Sequence, residues 1–331
     1  MITRLFQIWR PESYHGNRKK KFFFEGWFFK LVDQSSQHVY ALIPGIFKGS
    51  KSEDSHAFIQ VLDGKTHRSS YHRYPPEQFK ASQKIFSIQI ESNRFSDKEI
   101  LLNINSEDRL MRGKLNLGKL HPWPVTWLTP GVMGWDAFVP FMECFHGVLS
   151  LDHSLSGQLQ TEAGTISFDG GRGYIEKDWG RSFPEAYVWM QCNHFNQSGI
   201  SLVASIAKIP WLSGAFRGFI IGLWQEGRLY PFTTYNGARL NRLSVVDKHV
   251  VVEVEKSPFL LKVRAERRKQ GLLHGPYGHQ MLSHVSESLD SRLTLELYQK
   301  KGTAWKNLLR LSGEPAAVEA NGKLEEIMDK Y

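Results

Sequence analysis

The stretch "HGVLSLDHSLSGQLQTEAGTISFDGG" (146–171) sets Leu149, Leu151, Leu155 and Leu159 on one parity and Ser, Asp and Gln on the other. A period of two sends the leucines to one face of a strand and the polar residues to the opposite face. "EAG" and "DGG" supply the turn residues that let such strands fold back on one another. The same alternation runs outward in both directions: "HAFIQVLDG" (56–64), "FSIQIES" (86–92), "ILLNINS" (100–106) and "GKLNLG" (113–118) before it, and "AYVWMQCNHF" (186–195), "GISLVASIAKI" (199–209), "GFIIGLW" (218–224), "RLYPFTTYNG" (228–237), "HVVVEVEKSPFLLKVRAE" (249–266) and "RLTLELYQKKG" (292–302) after it. Helix signals are confined to one turn in "PPEQFKASQ" (75–83) and a short terminal helix in "GKLEEIMDKY" (322–331). Many short strands at regular spacing predict an all-β chain of antiparallel barrels or sandwiches.

The chain has 331 residues, more than one core usually organises, so two domains are expected. Aromatic residues make up 13% of it and include 10 Trp, which need cores or pockets large enough for rings. The net charge of +9 suits an anionic lipid surface or simple solubility. No RNA-binding aromatic motif or zinc-finger spacing accompanies that charge, so nucleic acid is not expected as a partner. Cys144 and Cys192 lack a CxxC spacing and read as reduced core residues of a cytoplasmic protein. "MITRLFQIWRPESYHG" (1–16) has no apolar stretch long enough for a signal peptide or spanning helix, so the protein reads as soluble, with peripheral membrane contact in keeping with its charge.

"GYIEKDWGRSFP" (173–184) gathers Glu176, Lys177, Asp178 and Arg181 around Trp179, beside Tyr174 and Phe183. "FEGWFFK" (24–30) repeats the device, with acid and base around Trp27, about a domain's length earlier. The echo suggests two barrel-like domains, 1–165 and 166–331. On an extended segment Glu176 and Asp178 share one face, and Lys177 and Trp179 share the other. Glu25 shares a face with Trp27, and Trp189, Gln191 and Asn193 share one in the next strand. These charges form either a salt-bridged corner or a polar centre in an apolar pocket. Glu25 with Lys30 is equally readable as a structural pair, and the two tryptophans as barrel plugs. His146, beside Glu143, is either a proton relay or a core histidine.

With those residues in view, the chain resembles the tocopherol cyclase family. "PESYHG" (11–16), "FFFEGWFFK" (22–30), "GYIEKDWGRSFPEAYVWMQCNHF" (173–195) and "AAVE" (316–319) are similar to its motifs, in order and almost end to end. The resemblance implies two lipocalin-like β-barrels with a hydrophobic ligand cavity. Carotenoid hydratases belong to the wider two-lipocalin-domain group. With no transit-peptide-like leader, the chain reads as a bacterial member. The implied activity is an intramolecular lyase, an isomerase that closes a chromanol ring on a prenylated hydroquinone or similar isoprenoid. That reaction protonates an alkene, which needs a carboxylic acid in a dry site, and burial raises carboxyl pKa values enough to supply one. Aromatic faces would steady the resulting cation. The expected acid is Asp178, then Glu176 and Glu25; the plant members carry Asn at the first of these positions, which moves weight to Glu176. The expected substrate-binding residues are Trp189, Gln191, Asn193, Trp179, Tyr174, Trp27 and His146. No metal and no cofactor is expected. A lipocalin-like carrier of lipid or isoprenoid, without chemistry, and an alkene hydratase remain as the other readings.

Overall fold

Nearly every alternating stretch becomes a strand in the computed structural model, which describes residues 7–127, 129–138, 142–211 and 214–329. Strand accounts for 64% of the chain and helix for 6%, which settles the all-β class. Among the described residues helix is confined to short 3₁₀ segments and an α-helical turn at residues 7–8, and no helix is long and apolar enough to cross a membrane. "PPEQ" makes one such turn at Pro76–Gln78 before the chain re-enters a strand. The terminal helix expected over 322–331 is reduced to a turn at Leu324–Glu326, and residues 330–331 lie outside the described residues.

The chain divides into two compact units, each built on its own antiparallel sheet in the lipocalin-like manner. The first comprises residues 1–183 together with 272–284. Its strands are β1 (Phe23–Val32), β2 (Val39–Lys48), β3 (His56–Asp63), β4 (Ser69–Tyr74), β5 (Phe79–Ala81), β6 (Ser87–Ile90), β7 (Asn93–Ser96), β8 (Glu99–Asn105), β9 (Leu110–Leu117), β10 (Cys144–Thr161), β11 (Gly164–Ser167) and β12 (Gly171–Gly180). The sheet order is β4-β3-β2-β1-β12-β10-β9-β8-β7-β6-β5, with β11 on β10, and β3 touches β6 so that the sheet curls back on itself. β12 joins β1 to β10, so residues 171–180 belong to this sheet. The unit therefore runs past the boundary expected at 165.

The second unit comprises residues 184–271 and 285–331. It holds β13 (Ala186–Cys192), β14 (Ile200–Trp211), β15 (Gly214–Gln225), β16 (Arg228–Thr233), β17 (Arg239–Val246), β18 (His249–Lys256) and β19 (Phe259–Glu266), then β21 (Gln280–Lys301) from Val285 on and β22 (Ala304–Gly322), while β20 (Gly271–Tyr277) pairs with β21 but lies almost wholly in the first unit. The order is β16-β15-β14-β13-β22-β21-β19-β18-β17, with β20 on β21. The hairpin formed by β20 and the start of β21 supplies the 272–284 arm of the first unit.

Parity decides what each strand buries. In β1, Trp27, Phe29 and Leu31 enter the first unit's core, while Phe24, Phe28 and Lys30 take the other face, and nearly all of these are buried. In β13, Val188, Met190 and Cys192 enter the second core. Burying one such large apolar side chain contributes about 1.5–3 kcal/mol, so the alternation is itself the main instruction for the fold.

Candidate active site

β12 carries charge on both faces, and the two faces differ in chemistry. On the core face, the Lys177 ammonium lies 2.7 Å from Glu25 Oε1, and both side chains are fully buried. The Nζ also donates to the Ser13 carbonyl at 2.5 Å and to His15 Nδ1 at 2.7 Å. His15 must therefore be neutral with its proton on Nε2, which donates to the Gln7 carbonyl at 3.1 Å. Burial, and then the Lys177 charge, hold the His15 pKa below its ordinary value. Glu25 further accepts the backbone N–H groups of His15, at 3.0–3.1 Å, and Gly16, at 3.1 Å. Burial alone would raise the Glu25 pKa, but Lys177 and His15 outweigh it and leave it lowered.

This arrangement stabilises a carboxylate, so Glu25 is corrected from candidate acid to ion-pair partner. Its cation is Lys177 rather than Lys30, which lies on the other face opposite Tyr174. The rings of Trp27 and Trp179 stand 5.0 and 4.5 Å from the Lys177 ammonium. Trp179 is also stacked on His15 at 4.3 Å and on Phe145 at 5.7 Å. The two tryptophans shelter the lysine.

On the opposite face, Tyr174, Glu176 and Asp178 follow one another at every second residue. His146 on β10 is in register with Asp178, and its Nδ1 lies 2.9 Å from Asp178 Oδ1. Its Nε2 lies 3.6 Å from Glu176 Oε2, too far for a hydrogen bond, and is buried without one. The Tyr174 hydroxyl donates to that same Glu176 oxygen at 2.6 Å. Burial works against a charged His146, but Glu176 and then Asp178 outweigh it and raise the pKa to about 9. The imidazole is thus an imidazolium at neutral pH, set between two carboxyl groups. Tyr174 is pushed well above its ordinary pKa by burial and then by Glu176, so it stays a hydrogen-bond donor.

Cys144 Sγ reaches Asp178 Oδ1 at 3.9 Å, and burial followed by the Asp178 charge keeps it a thiol. Cys144 also packs, with Phe183 and Met281, on the cluster of Phe24, Phe47 and Phe58. An apolar wall therefore adjoins the charged group. His146, Glu176 and Asp178 offer ligand atoms within 4.8 Å of one another, close enough to hold a metal ion. Chemically, the cluster sets an imidazole beside two carboxyl groups, an arrangement that can relay a proton between His146 and Glu176.

Trp189, Gln191 and Asn193 belong to the second unit. Trp189 and Gln191 lie on the face of β13 turned away from its core, Asn193 follows just beyond the strand's end, and all three are buried. Trp189 stands in register with Glu319 of β22, whose carboxylate accepts the Tyr187 hydroxyl at 2.6 Å. The structure thus unites Tyr174, Glu176, Asp178 and His146 in the first unit, and Trp189, Gln191 and Asn193 on and just after one strand of the second. The sequence reading passed over His15 and Cys144. His15 lies within "PESYHG", but only its contacts with Glu25 and Lys177 give it a role.

Comparison with known proteins follows the same lines. The tocopherol cyclase-like family pattern matches residues 115–322. The chain is 26% identical over 211 residues to the probable chloroplastic tocopherol cyclase of Oryza sativa subsp. japonica, a match covering 57% of this chain and 42% of that protein. With the chloroplastic tocopherol cyclase of Zea mays it is 26% identical over 205 residues, covering 57% and 41%. The match thus spans less than half the length of these plant relatives. Among solved structures, CghA with Sch210972 superposes with a TM-score of 0.55 at 9% identity, covering 91% of this chain and 88% of that one. An AttH candidate from Nitrosomonas europaea gives 0.52 at 11% identity, covering 94% and 95%. Both likenesses concern the fold alone. The family match takes in β10 and β12, the two strands that bring His146 to Asp178 and Glu176, and runs on through β22, so the chain belongs to the tocopherol cyclase-like family.

Proposed function

We propose that the protein closes a ring on a prenylated hydroquinone or a similar isoprenoid phenol by acid catalysis at His146, Asp178 and Glu176. The observation that carries this reading is the buried imidazolium, 2.9 Å from one carboxyl group and 3.6 Å from the other, beside an apolar wall. The names of the plant relatives support the reaction class.

Glu176 is the better donor. Its side chain is 6% exposed against 26% for Asp178, and Asp178 is already engaged by the His146 ring. Asp178, hydrogen-bonded to the His146 ring at 2.9 Å, positions the imidazolium. In the step itself, the His146 imidazolium passes its Nε2 proton to the Glu176 carboxylate, and the carboxylic acid so formed protonates an alkene carbon and leaves a tertiary cation. The phenol oxygen bonds to the cationic carbon at the other end of the former alkene, and its proton returns through the Glu176 carboxylate to His146. No atom is gained or lost. Tyr174 orients Glu176, and His146 Nε2 lies near enough to exchange protons with it. Phe24 and Phe183 supply ring faces, and exclusion of water guards the cation against hydration.

The test is turnover of a prenylated hydroquinone by wild type and by Glu176→Gln, Asp178→Asn and His146→Gln. General acid catalysis contributes about 10²–10⁴-fold, so Glu176→Gln is expected to lose that much and Asp178→Asn less. In D₂O one deuterium should enter the product. Full activity in Glu176→Gln overturns the assignment. A hydrated product would instead make the protein a hydratase, and a co-purified lipid without turnover would make it a carrier. Loss of activity on chelation, restored by Zn²⁺, would assign the three residues to a metal.

A further inference from the structure

Folding normally hides tryptophan, yet the loop between β9 and β10 leaves Trp127 86% exposed and Trp135 58% exposed, with Val125 and Phe138 exposed beside them. This tip has internal order. The Thr126 N–H donates to the Thr129 carbonyl at 2.9 Å, and the two threonine hydroxyls lie 2.7 Å apart. The N-terminal strap joins it. Trp9 Nε1 donates to the Thr126 carbonyl at 3.1 Å, and its ring meets Trp127 at 6.1 Å and Phe138 at 5.8 Å. Arg10 follows directly and donates to the Lys84 carbonyl at 3.2 Å, which brings exposed Lys84 and the 63% exposed Ile85 to the rim.

Charge around these rings is one-sided. Strap residues 7–21 and loop residues 118–138 carry Arg10, Arg18, Lys19, Lys20, Lys21 and Lys119 against two carboxylates, Glu12 and Asp136, both half-buried. We propose that Trp9, Trp127, Trp135 and Phe138, rimmed by Arg10 and Lys84, form a docking surface for an anionic phospholipid bilayer. Indole rings suit the headgroup layer because they are apolar in body and carry one donor at the edge. Basic side chains at their rim meet the negative surface potential of such a leaflet. The inference is independent of the proposed reaction and reads a different property.

The experiment is co-sedimentation of the intact chain with vesicles of phosphatidylcholine alone and of phosphatidylcholine with phosphatidylglycerol. Wild type is expected to pellet with the anionic vesicles and to be released by salt. The exposed double variant Trp127→Ser with Trp135→Ser should weaken partitioning by about tenfold per indole. Arg10→Gln with Lys84→Gln should weaken it by about fivefold per charge. Thermal melts matching wild type show that each variant is folded. Wild type that stays in the supernatant with both vesicle types overturns the proposal, as does equal binding by the tryptophan variant. A dimer in sedimentation velocity that the tryptophan variant abolishes, without vesicle binding, would assign the surface to a second copy.

Discussion

His146 owes its charge to two side chains it meets only in the folded chain, and that has a measurable consequence. Its pKa is raised from an ordinary 6.5 to about 9. Folding therefore favours the protonated ring, and the stability it contributes is complete below about pH 6.5 and lost as pH rises through about 9. A denaturation series across that window should show the decline in wild type and a flatter profile in His146→Gln. NMR titration of the ring should give a lower pKa in Asp178→Asn, because one of the two raising charges is gone. A pKa unchanged in that variant would remove Asp178 from the cluster. Glu176 and Asp178 were legible as one face from spacing alone. The rank of the carboxyls was not, because it depends on which one the β10 histidine touches, and strand register is a long-range fact. Glu25 was misjudged for the same reason: its cation comes from a strand about 150 residues away.

At the scale of the element, β12 explains why its motif begins and ends on glycine. A Cβ on Gly173 would lie 2.4 Å from His153 Nε2, and one on Gly180 would lie 2.0 Å from the Glu143 carbonyl oxygen. Both neighbours are on or next to β10, so Gly173→Ala or Gly180→Ala would push apart the pair that brings His146 to Asp178. Overpacking of this kind costs about 1–3 kcal/mol, readable in urea melts, with activity falling further than stability. The core-facing ion pair of the same strand should be more sensitive. Glu25→Gln leaves the Lys177 ammonium buried without its counter-charge, and such breaks cost about 3–5 kcal/mol. Replacing both partners, as Glu25→Gln with Lys177→Met, should recover part of that loss. If the double variant is no more stable than the single, the pair is not coupled. The strands themselves were readable because alternation is local. The long reach of β21 was not, since "SESLDS" interrupts the pattern where the pairing shifts register.

Across the whole molecule, the sequence foretold two all-β units. It placed their boundary too early, because the doubled tryptophan marks strands rather than domain ends. It also gave no sign that residues 272–284 return to the first unit. There the Gln60 side chain exchanges hydrogen bonds with the His274 backbone at 2.7 and 3.2 Å, Tyr71 stacks on His274 at 4.2 Å, and the Phe183 N–H donates to the Pro276 carbonyl at 3.1 Å. Without that arm Gln60, which is buried, loses both partners. A fragment ending at residue 183 is therefore expected to melt below the full chain, and a peptide of residues 271–285 should restore part of the difference. Equal melting of the fragment with and without the peptide would show that the arm contributes nothing.

The same arm sets a timetable for synthesis. A nascent chain whose N-terminal unit was continuous could finish folding soon after its last strand left the ribosome. Here the first unit waits for a segment that follows the whole of β13 to β19, on the order of five to twenty seconds at ordinary translation speed. During that interval Gln60, Tyr71 and the Phe183 backbone are uncovered, which makes the half-made protein a natural client for holding chaperones and gives slow codons after residue 183 a cost in yield.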